Sequence, residues 1–406
     1  GTPAIKDTSR LWVKYLAGDQ RQLHLPCPHC GHFQVLQREG LRYNLDENGD
    51  LIRNSVFYEC AECKKPIYET QKQEMLIAGK WIATYPGREV ASFQMNGLSR
   101  PYGWRGWYDF LNSYLIAEKT GDVMAMQVWQ NEDNGMPYEA PDTFEITSYD
   151  VQDHAEEYEN ELPEEVLVIT AGVDVQGNRL EVEVVGYGEG ERSWGLGYHM
   201  LPGDPVDNQV WDDLHALIMN TTYTNKHKEV QKIVATGIDT GYRTKEVYEF
   251  IKTHRRFHRY FALKGYDSEG HEPVKRRPPN KYGVSVHIVG VSTLKENLYA
   301  RLLLADDKAG YCHFPIGRGY DDEYYLQLTA EKCETIKDKK GFKKRQWVKT
   351  RERNEALDCR VYANATLFLL NPNFAIIYHN RLKKRGQVVE NKKKYNMPKK
   401  NFATDW

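Results

Sequence analysis

Nothing in this sequence reads as a membrane segment. No apolar run approaches the roughly 18–20 residues of a spanning helix, and no basic-then-apolar stretch opens the chain. A Walker A pattern, GxxxxGK[ST], is also lacking. The glycine-rich stretch Gly186-Tyr-Gly-Glu-Gly190 follows a strand-like run without opening a helix, so it reads as a hairpin turn rather than a phosphate cradle. Net charge is nearly absent, −2 from 55 Lys+Arg against 57 Asp+Glu, and global charge gives no argument for a nucleic-acid partner. The charge is uneven instead: residues 156–165 are acidic, whereas 337–345 and 381–400 are basic. Cysteine is scarce, seven in all, odd in number and clustered, which fits a metal site in a reducing compartment better than a disulfide framework. No methionine begins the chain, so a piece cut from a longer polypeptide is expected.

What is present starts with two knuckles, Cys27-Pro-His-Cys30-Gly31 and Cys60-Ala-Glu-Cys63-Lys-Lys-Pro66. Two C-x-x-C turns let four thiolates converge on one tetrahedral ion, and Gly31 frees the backbone to turn its amides toward sulfur. The 29 residues between the knuckles (31–59) exceed the usual spacing, but residues 43–57, with an Asn48-Gly49 turn, suit a hairpin insertion. His24, His29 and His32 are alternative ligands. A structural Zn²⁺ on Cys27, Cys30, Cys60 and Cys63 is expected, with no catalytic role because a closed thiolate site has no open position.

Helices are expected near residues 9–17, 107–117 and 121–131, and the Trp-rich stretch 71–150 reads as globular packing without nameable chemistry. The acidic segment 151–165 reads as a linker. From 166 the pattern changes. An apolar, β-branched run ends in Val173-Asp174, turns through Gln176-Gly177-Asn178, and continues as the alternating Leu180-Glu-Val-Glu-Val-Val185. The first run predicts a strand buried on both faces and the second a half-buried one, with Glu181 and Glu183 on its polar face and outside any site. A third strand is expected at 193–201, a helix at 208–220, and a second apolar strand ending in Asp239. A helix at 244–254, strands at 260–263 and 284–289, and helices at 293–304 and 354–370 follow, the last capped by Asn354. Meandering strands followed by alternating strand and helix describe a mixed α/β sheet.

If the two aspartate-ended strands are parallel neighbours, Asp174 and Asp239 emerge at one sheet edge. Asp358 sits in the early turns of a largely apolar helix, an awkward place for an isolated charge, and Glu355 lies three residues earlier on the same face. Converging carboxylates raise one another's pKa unless divalent cations neutralise them, and oxygen-only ligation suits Mg²⁺ or Mn²⁺. Two such ions about 3.5–4 Å apart serve phosphodiester cleavage.

Several stretches together resemble one family. They are Asp19-Gln-Arg21 leading into Cys27-Pro-His-Cys-Gly31, Gly172-Val-Asp174-Val-Gln176, Ile238-Asp-Thr-Gly-Tyr-Arg243, Val289-Gly-Val-Ser-Thr-Leu-Lys295, Phe314-Pro315 with Gly319-Tyr-Asp-Asp-Glu-Tyr324, and Arg353-Asn-Glu-Ala-Leu-Asp-Cys-Arg-Val-Tyr362. The chain resembles the C-terminal part of a lambda-type (GpA-like) large subunit of phage terminase, over roughly residues 1–370. The resemblance implies a ribonuclease-H-like nuclease that cuts concatemeric viral DNA in the host cytoplasm, preceded by a zinc ribbon and the end of an ATPase region. It implies Asp174, Asp239 and Asp358 as metal ligands, with Glu355 and Lys295 as further catalytic candidates. Ser292 stands where the family suggests an aspartate. The expected layout is 1–25 end of the ATPase region, 26–70 zinc ribbon, 71–150 connecting region, 151–165 linker, 166–372 nuclease and 373–406 basic tail. Lys264, Arg276, Arg277, Lys281, Lys343, Lys344 and Arg345 are candidates to track phosphates of double-stranded DNA. Further implied partners are the terminase small subunit and, through the tail, the portal of the procapsid. Two rival readings stand beside this one, a resolvase- or transposase-type nuclease of the same fold and a non-catalytic module that docks DNA or capsid proteins.

Overall fold

The computed structural model describes residues 6, 9–120, 123–139, 146–267, 271–306, 308–337 and 343–386. Among these, a nine-stranded sheet organises the second half of the chain. Its order is Val274–Lys275, Val286–Gly290, Tyr260–Tyr266, Ala235–Asp239, Val168–Val175, Arg179–Tyr187, Ser193–Pro202, Cys312–Pro315 and Ala155–Glu156. The three strands from Val168 to Pro202 form an antiparallel meander. Ala235–Asp239 joins it parallel to Val168–Val175, and Tyr260–Tyr266 and Val286–Gly290 continue the parallel run. The expected parallel pairing of the two aspartate-ended strands is therefore present.

Helix Glu355–Leu370 lies across the centre of this sheet, and glycine makes that approach possible. A Cβ on Gly172 would fall 2.0 Å from the Cys359 carbonyl oxygen and 2.5 Å from the Ala363 nitrogen. A Cβ on Gly237, one strand over, would fall 2.2 Å from the Thr366 hydroxyl. Backbone-to-backbone packing of this kind leaves the helix no freedom to slide. On the opposite face, helices Asn208–Asn220 and Thr244–His254 bury Val210, Trp211, Leu214, Val247, Phe250 and Ile251 against the sheet.

Two expectations are corrected. The strand Arg179–Tyr187 is not half-buried: Glu181 and Glu183 are both without solvent exposure. The alternation is matched by buried arginines and tyrosines rather than by water. Glu183 meets Arg360 at 2.7 Å and the hydroxyls of Tyr324 and Tyr320 at 2.6 and 3.1 Å. The acidic segment 151–165 does not run free. Ala155–Glu156 pairs with Phe314 and Pro315, while Val151 and Leu162 are fully buried. The start of the basic tail is ordered as helix Phe374–Lys384, where Arg381 donates to the Glu164 and Val166 carbonyls and Arg385 pairs with Glu164 and Glu229. Residues 387–406 lie outside the described residues.

The first half of the chain is built on small sheets. Arg21–Pro26 pairs with Phe33–Gln34, Lys80–Ala83 and Phe93–Gln94, and Phe57–Glu59 pairs with Leu41–Arg42 and Pro66–Ile67. The helix expected at 121–131 is α-helical over Val123–Val128 and closes in a wider π turn at Trp129–Asp133, with the Asn134 amide bonded to the Trp129 carbonyl. No helix among the described residues is long and apolar enough to cross a membrane.

Candidate metal centres

The four cysteines sit at the tips of two hairpins with the same backbone turn. In the first, the Gly31 amide donates to the Cys27 carbonyl and the Cys27 amide to that of His32; in the second, Lys64 and Cys60 repeat the pattern with Cys60 and Lys65. Gly31 and Lys64, each following the second cysteine of its knuckle, both take positive φ, +73° and +59°. The four sulfurs lie within 4.8 Å of one another, with Cys27–Cys63 and Cys30–Cys60 both at 3.8 Å. Sulfurs at about 2.3 Å from a tetrahedral ion would be about 3.8 Å apart. The histidine alternatives find other uses or none in this cluster: His29 bonds its ring to the Pro66 carbonyl at 2.9 Å, and His24 pairs in a strand with Lys80.

The second centre lies where three elements end. Asp174 is the penultimate residue of Val168–Val175, Asp239 ends the parallel strand beside it, and Asp358 is in the first turns of the crossing helix. The strand register Ile238 opposite Val173 carries Asp239 level with Asp174 at the next step. Asp174 is 6% exposed. Burial, then the charge of Asp358, and further Asp239 and Glu355, push its carboxyl up to about 8, against a hydrogen bond from Gln176. Burial also raises Asp239, although the Tyr362 hydroxyl and the Gly241 amide donate to it at 3.0 and 3.1 Å. Asp358, whose side chain is 26% exposed, is raised chiefly by burial and lowered by Lys295.

Around these three, the neighbouring charges are already matched. The Lys295 ammonium contacts both Glu331 oxygens at 2.8 Å and stands 3.6 Å from Asp358. The Asn354 amide donates to Glu331 at 2.8 Å and Asp358 at 3.0 Å, while Lys349 donates to its oxygen at 2.6 Å. Asn354 thus tethers the site and makes no side-chain cap on its helix, contrary to expectation. Glu355 is held by Arg179 at 2.8 Å and Arg353 at 3.3 Å, and the same arginines bind Glu181 at 2.5 and 2.7 Å. No lysine or arginine among the described residues pairs with Asp174 or Asp239. An all-oxygen set with one buried and one partly buried carboxylate, neither paired with a cationic side chain among the described residues, fits a hard divalent cation. These oxygens are spread more widely than the sulfurs: among the described residues, only the cysteine group closes to within 4.8 Å.

Glu331, Tyr362, Gln176, Arg179 and Arg353 belong to this constellation although none was singled out from the sequence. Tyr362 carried a usable signal, lying four residues after Asp358 and so on the same helix face. Glu331 begins a hairpin strand and reaches Lys295 only through the tertiary fold. The basic candidates divide. Lys264, Arg276, Arg277 and Lys281 are exposed, with Arg276 also bonding the Leu369 carbonyl and Lys281 over the Tyr282 ring. Arg345 is placed differently: its side chain is 5% exposed and pairs with Glu296. The side chains of Lys343 and Lys344 lie outside the described residues. Ser292 hydrogen-bonds Asp267.

A mixed α/β sheet with two acidic groups at adjacent strand ends defines the class, and sequence comparison assigns it to nucleases: residues 90–380 match the family model for the endonuclease domain of the terminase large subunit gpA. Residues 1–81 match the model for the ATPase domain of the same subunit, a stretch that includes all four knuckle cysteines. The chain belongs to the gpA family of lambda-type phage terminase large subunits. It is 30% identical over 401 residues to the terminase large subunit of Escherichia phage lambda and 28% identical over 404 residues to that of Enterobacteria phage P21. These alignments take in 90% of this chain and 60% of each relative, so the chain spans about 60% of their length. The nuclease domain of the large terminase subunit gp2 of bacterial virus Sf6 aligns over 53% of this chain and 96% of its own, with 10% identity and a TM-score of 0.36, too low to transfer any residue.

Proposed function

We propose that residues 166–372 are a ribonuclease-H-like, metal-dependent endonuclease that cuts concatemeric double-stranded DNA during packaging, with Asp174, Asp239 and Asp358 holding two Mg²⁺ or Mn²⁺ ions. The observation that carries this reading is Asp174: a carboxyl at a strand end, pushed up to about 8 by burial and by neighbouring carboxylates, with no basic partner. The antiparallel meander extended by parallel strands, with a helix packed across the aspartate-bearing pair, supports the fold assignment.

Cations bound there would neutralise charge on the scissile phosphodiester and activate water. The protein's own groups prepare the site. Gln176 and Tyr362 fix the orientations of Asp174 and Asp239. Lys295 and Asn354 set Asp358, with Glu331 holding both of them in place. Arg179 and Arg353 hold Glu355 beside the cluster, where its field acts on Asp174. The same reading includes a structural Zn²⁺ on Cys27, Cys30, Cys60 and Cys63 in a zinc ribbon, supported by the 3.8 Å sulfur spacing. It also includes the terminase small subunit as a partner, and the portal through the C-terminal tail, in the host cytoplasm.

The test is cleavage of supercoiled plasmid by the chain in divalent-free buffer, then with Mg²⁺ or Mn²⁺ restored, then with EDTA. Nicking and linearisation that appear with the cation and vanish with the chelator are expected. Cleavage indifferent to both would overturn the reading.

A further inference from the structure

The elements that carry the three aspartates at one end meet again at the other. Val168 begins the Asp174 strand, Val234 immediately precedes the Asp239 strand, and Leu370 ends the Asp358 helix. These three residues line a groove of about 670 Å³ whose rim is the loop Arg255-Arg256-Phe257-His258-Arg259. Six strand residues, at about 3.3 Å each, put this groove roughly 20 Å from the acidic cluster.

The loop differs from the arginines gathered around the buried glutamates and on the C-terminal helix. Arg353, Arg360, Arg381 and Arg385 all pair with carboxylates. Arg255, Arg256 and Arg259 are exposed, and none has a side-chain partner among the described residues. A cation beside the end of helix Thr244–His254 is favoured by the helix dipole, which accounts for Arg255. It does not account for Arg259, which immediately precedes the next strand, or for Phe257, left 66% exposed between the arginines. His258 adds no charge, since burial, His215 and Arg259 hold it down at about 4, and its ring is bonded to Thr236. Leu167 and Val168 on the groove floor are each only 6% exposed, and the exposed apolar surface is that of Val234, at 47%, and Phe257 beside the arginines. What the groove presents is three unpaired guanidinium groups around one aromatic ring. That combination suits a line of backbone phosphates with a deoxyribose against the ring.

We propose that the loop Arg255–Arg259 and its groove bind the phosphate backbone of double-stranded DNA at a site separate from the acidic cluster. The choice of DNA rests on the nuclease reading, but binding can be measured without cleavage. The probe is a fluorescently labelled 30-base-pair duplex, titrated by anisotropy in divalent-free buffer at 50–200 mM NaCl. Replacing Arg255, Arg256 and Arg259 together by alanine should lower the slope of log affinity against log salt by about 2.7, about 0.9 for each phosphate contact. Across that salt range the wild-type chain should lose about 40-fold more affinity than the variant. The triple lysine variant should keep the slope, since the charge is retained, and separates loss of contact from misfolding. An unchanged slope in the alanine variant overturns the proposal, as does failure of the wild-type chain to bind the duplex at 50 mM salt. Unchanged DNA binding with lost binding of poly-glutamate overturns it in favour of an acidic protein segment. A lowered slope in a chain that cuts no plasmid with Mg²⁺ or Mn²⁺ would sink the nuclease reading and leave this site standing.

Discussion

Replacing Asp174 by asparagine should stabilise the metal-free protein at pH 8. The folded chain holds the Asp174 proton up to about pH 8, whereas the unfolded chain releases it near the ordinary 3.8. Between those values the unfolded state binds fewer protons than the folded one, so stability falls as pH rises through the window. The full difference corresponds to roughly 6 kcal/mol, at about 1.36 kcal/mol for each pKa unit, and coupling to Asp239 and Asp358 reduces it. Asparagine keeps the shape and can still bond Gln176, but it has no charge to bury. Wild type and Asp174→Asn should therefore melt together near pH 4 after dialysis into divalent-free buffer. At pH 8 the variant should be roughly 2–5 kcal/mol the more stable. For a domain of this size that is roughly 2–4 °C per kcal/mol, within reach of differential scanning calorimetry. Adding Mn²⁺ at pH 8 should raise the melting temperature of the wild type and leave the variant unmoved. A wild-type protein whose metal-free melting is flat from pH 4 to 8, or an asparagine variant less stable than wild type at pH 8, would refute the electrostatic argument.

Three further outcomes follow from the packing. Metal analysis after dialysis should find about one zinc per chain, and Cys60→Ser should lose it; much less than one in the wild type would remove the ribbon reading. Gly172→Ala forces a methyl against the backbone of the crossing helix, and urea unfolding should show a loss of about 3 kcal/mol or more, with a neutral result contradicting the close approach. Arg360→Met leaves the Glu183 carboxylate buried without its cation, for a loss of about 3–5 kcal/mol in the same assay; the double change to Glu183→Leu and Arg360→Met should recover most of it.

The parts of this molecule legible in the sequence are those set by short-range pattern. An apolar, β-branched run such as 166–173 has few alternatives to a buried strand, and the parallel neighbour ending at Asp239 was legible for the same reason. The two C-x-x-C turns carry their own geometry, which brings four sulfurs together whatever the intervening length. What could not be read depends on partners distant in sequence. Glu181 and Glu183 alternate with valines as on a half-exposed strand, yet Arg353, Arg360, Tyr320 and Tyr324, 137 or more residues away, complete their burial. Asn354 has the right residue type and place for a helix cap, but the nearby Glu331 and Asp358 carboxylates claim its amide. The basic run ending at Arg345 looked solvated, and one long-range contact with Glu296 turned that arginine inward. The unpaired arginines at 255–259 drew no notice, because their distinction lies in the absence of partners in the fold.

The most direct test of the central claim is supercoiled-plasmid cleavage by wild type and Asp174→Asn side by side in Mn²⁺ at pH 8, with circular dichroism confirming that both are folded. The account predicts nicking and linearisation by the wild type and none above background by the variant. Equal cleavage by the folded variant would contradict it.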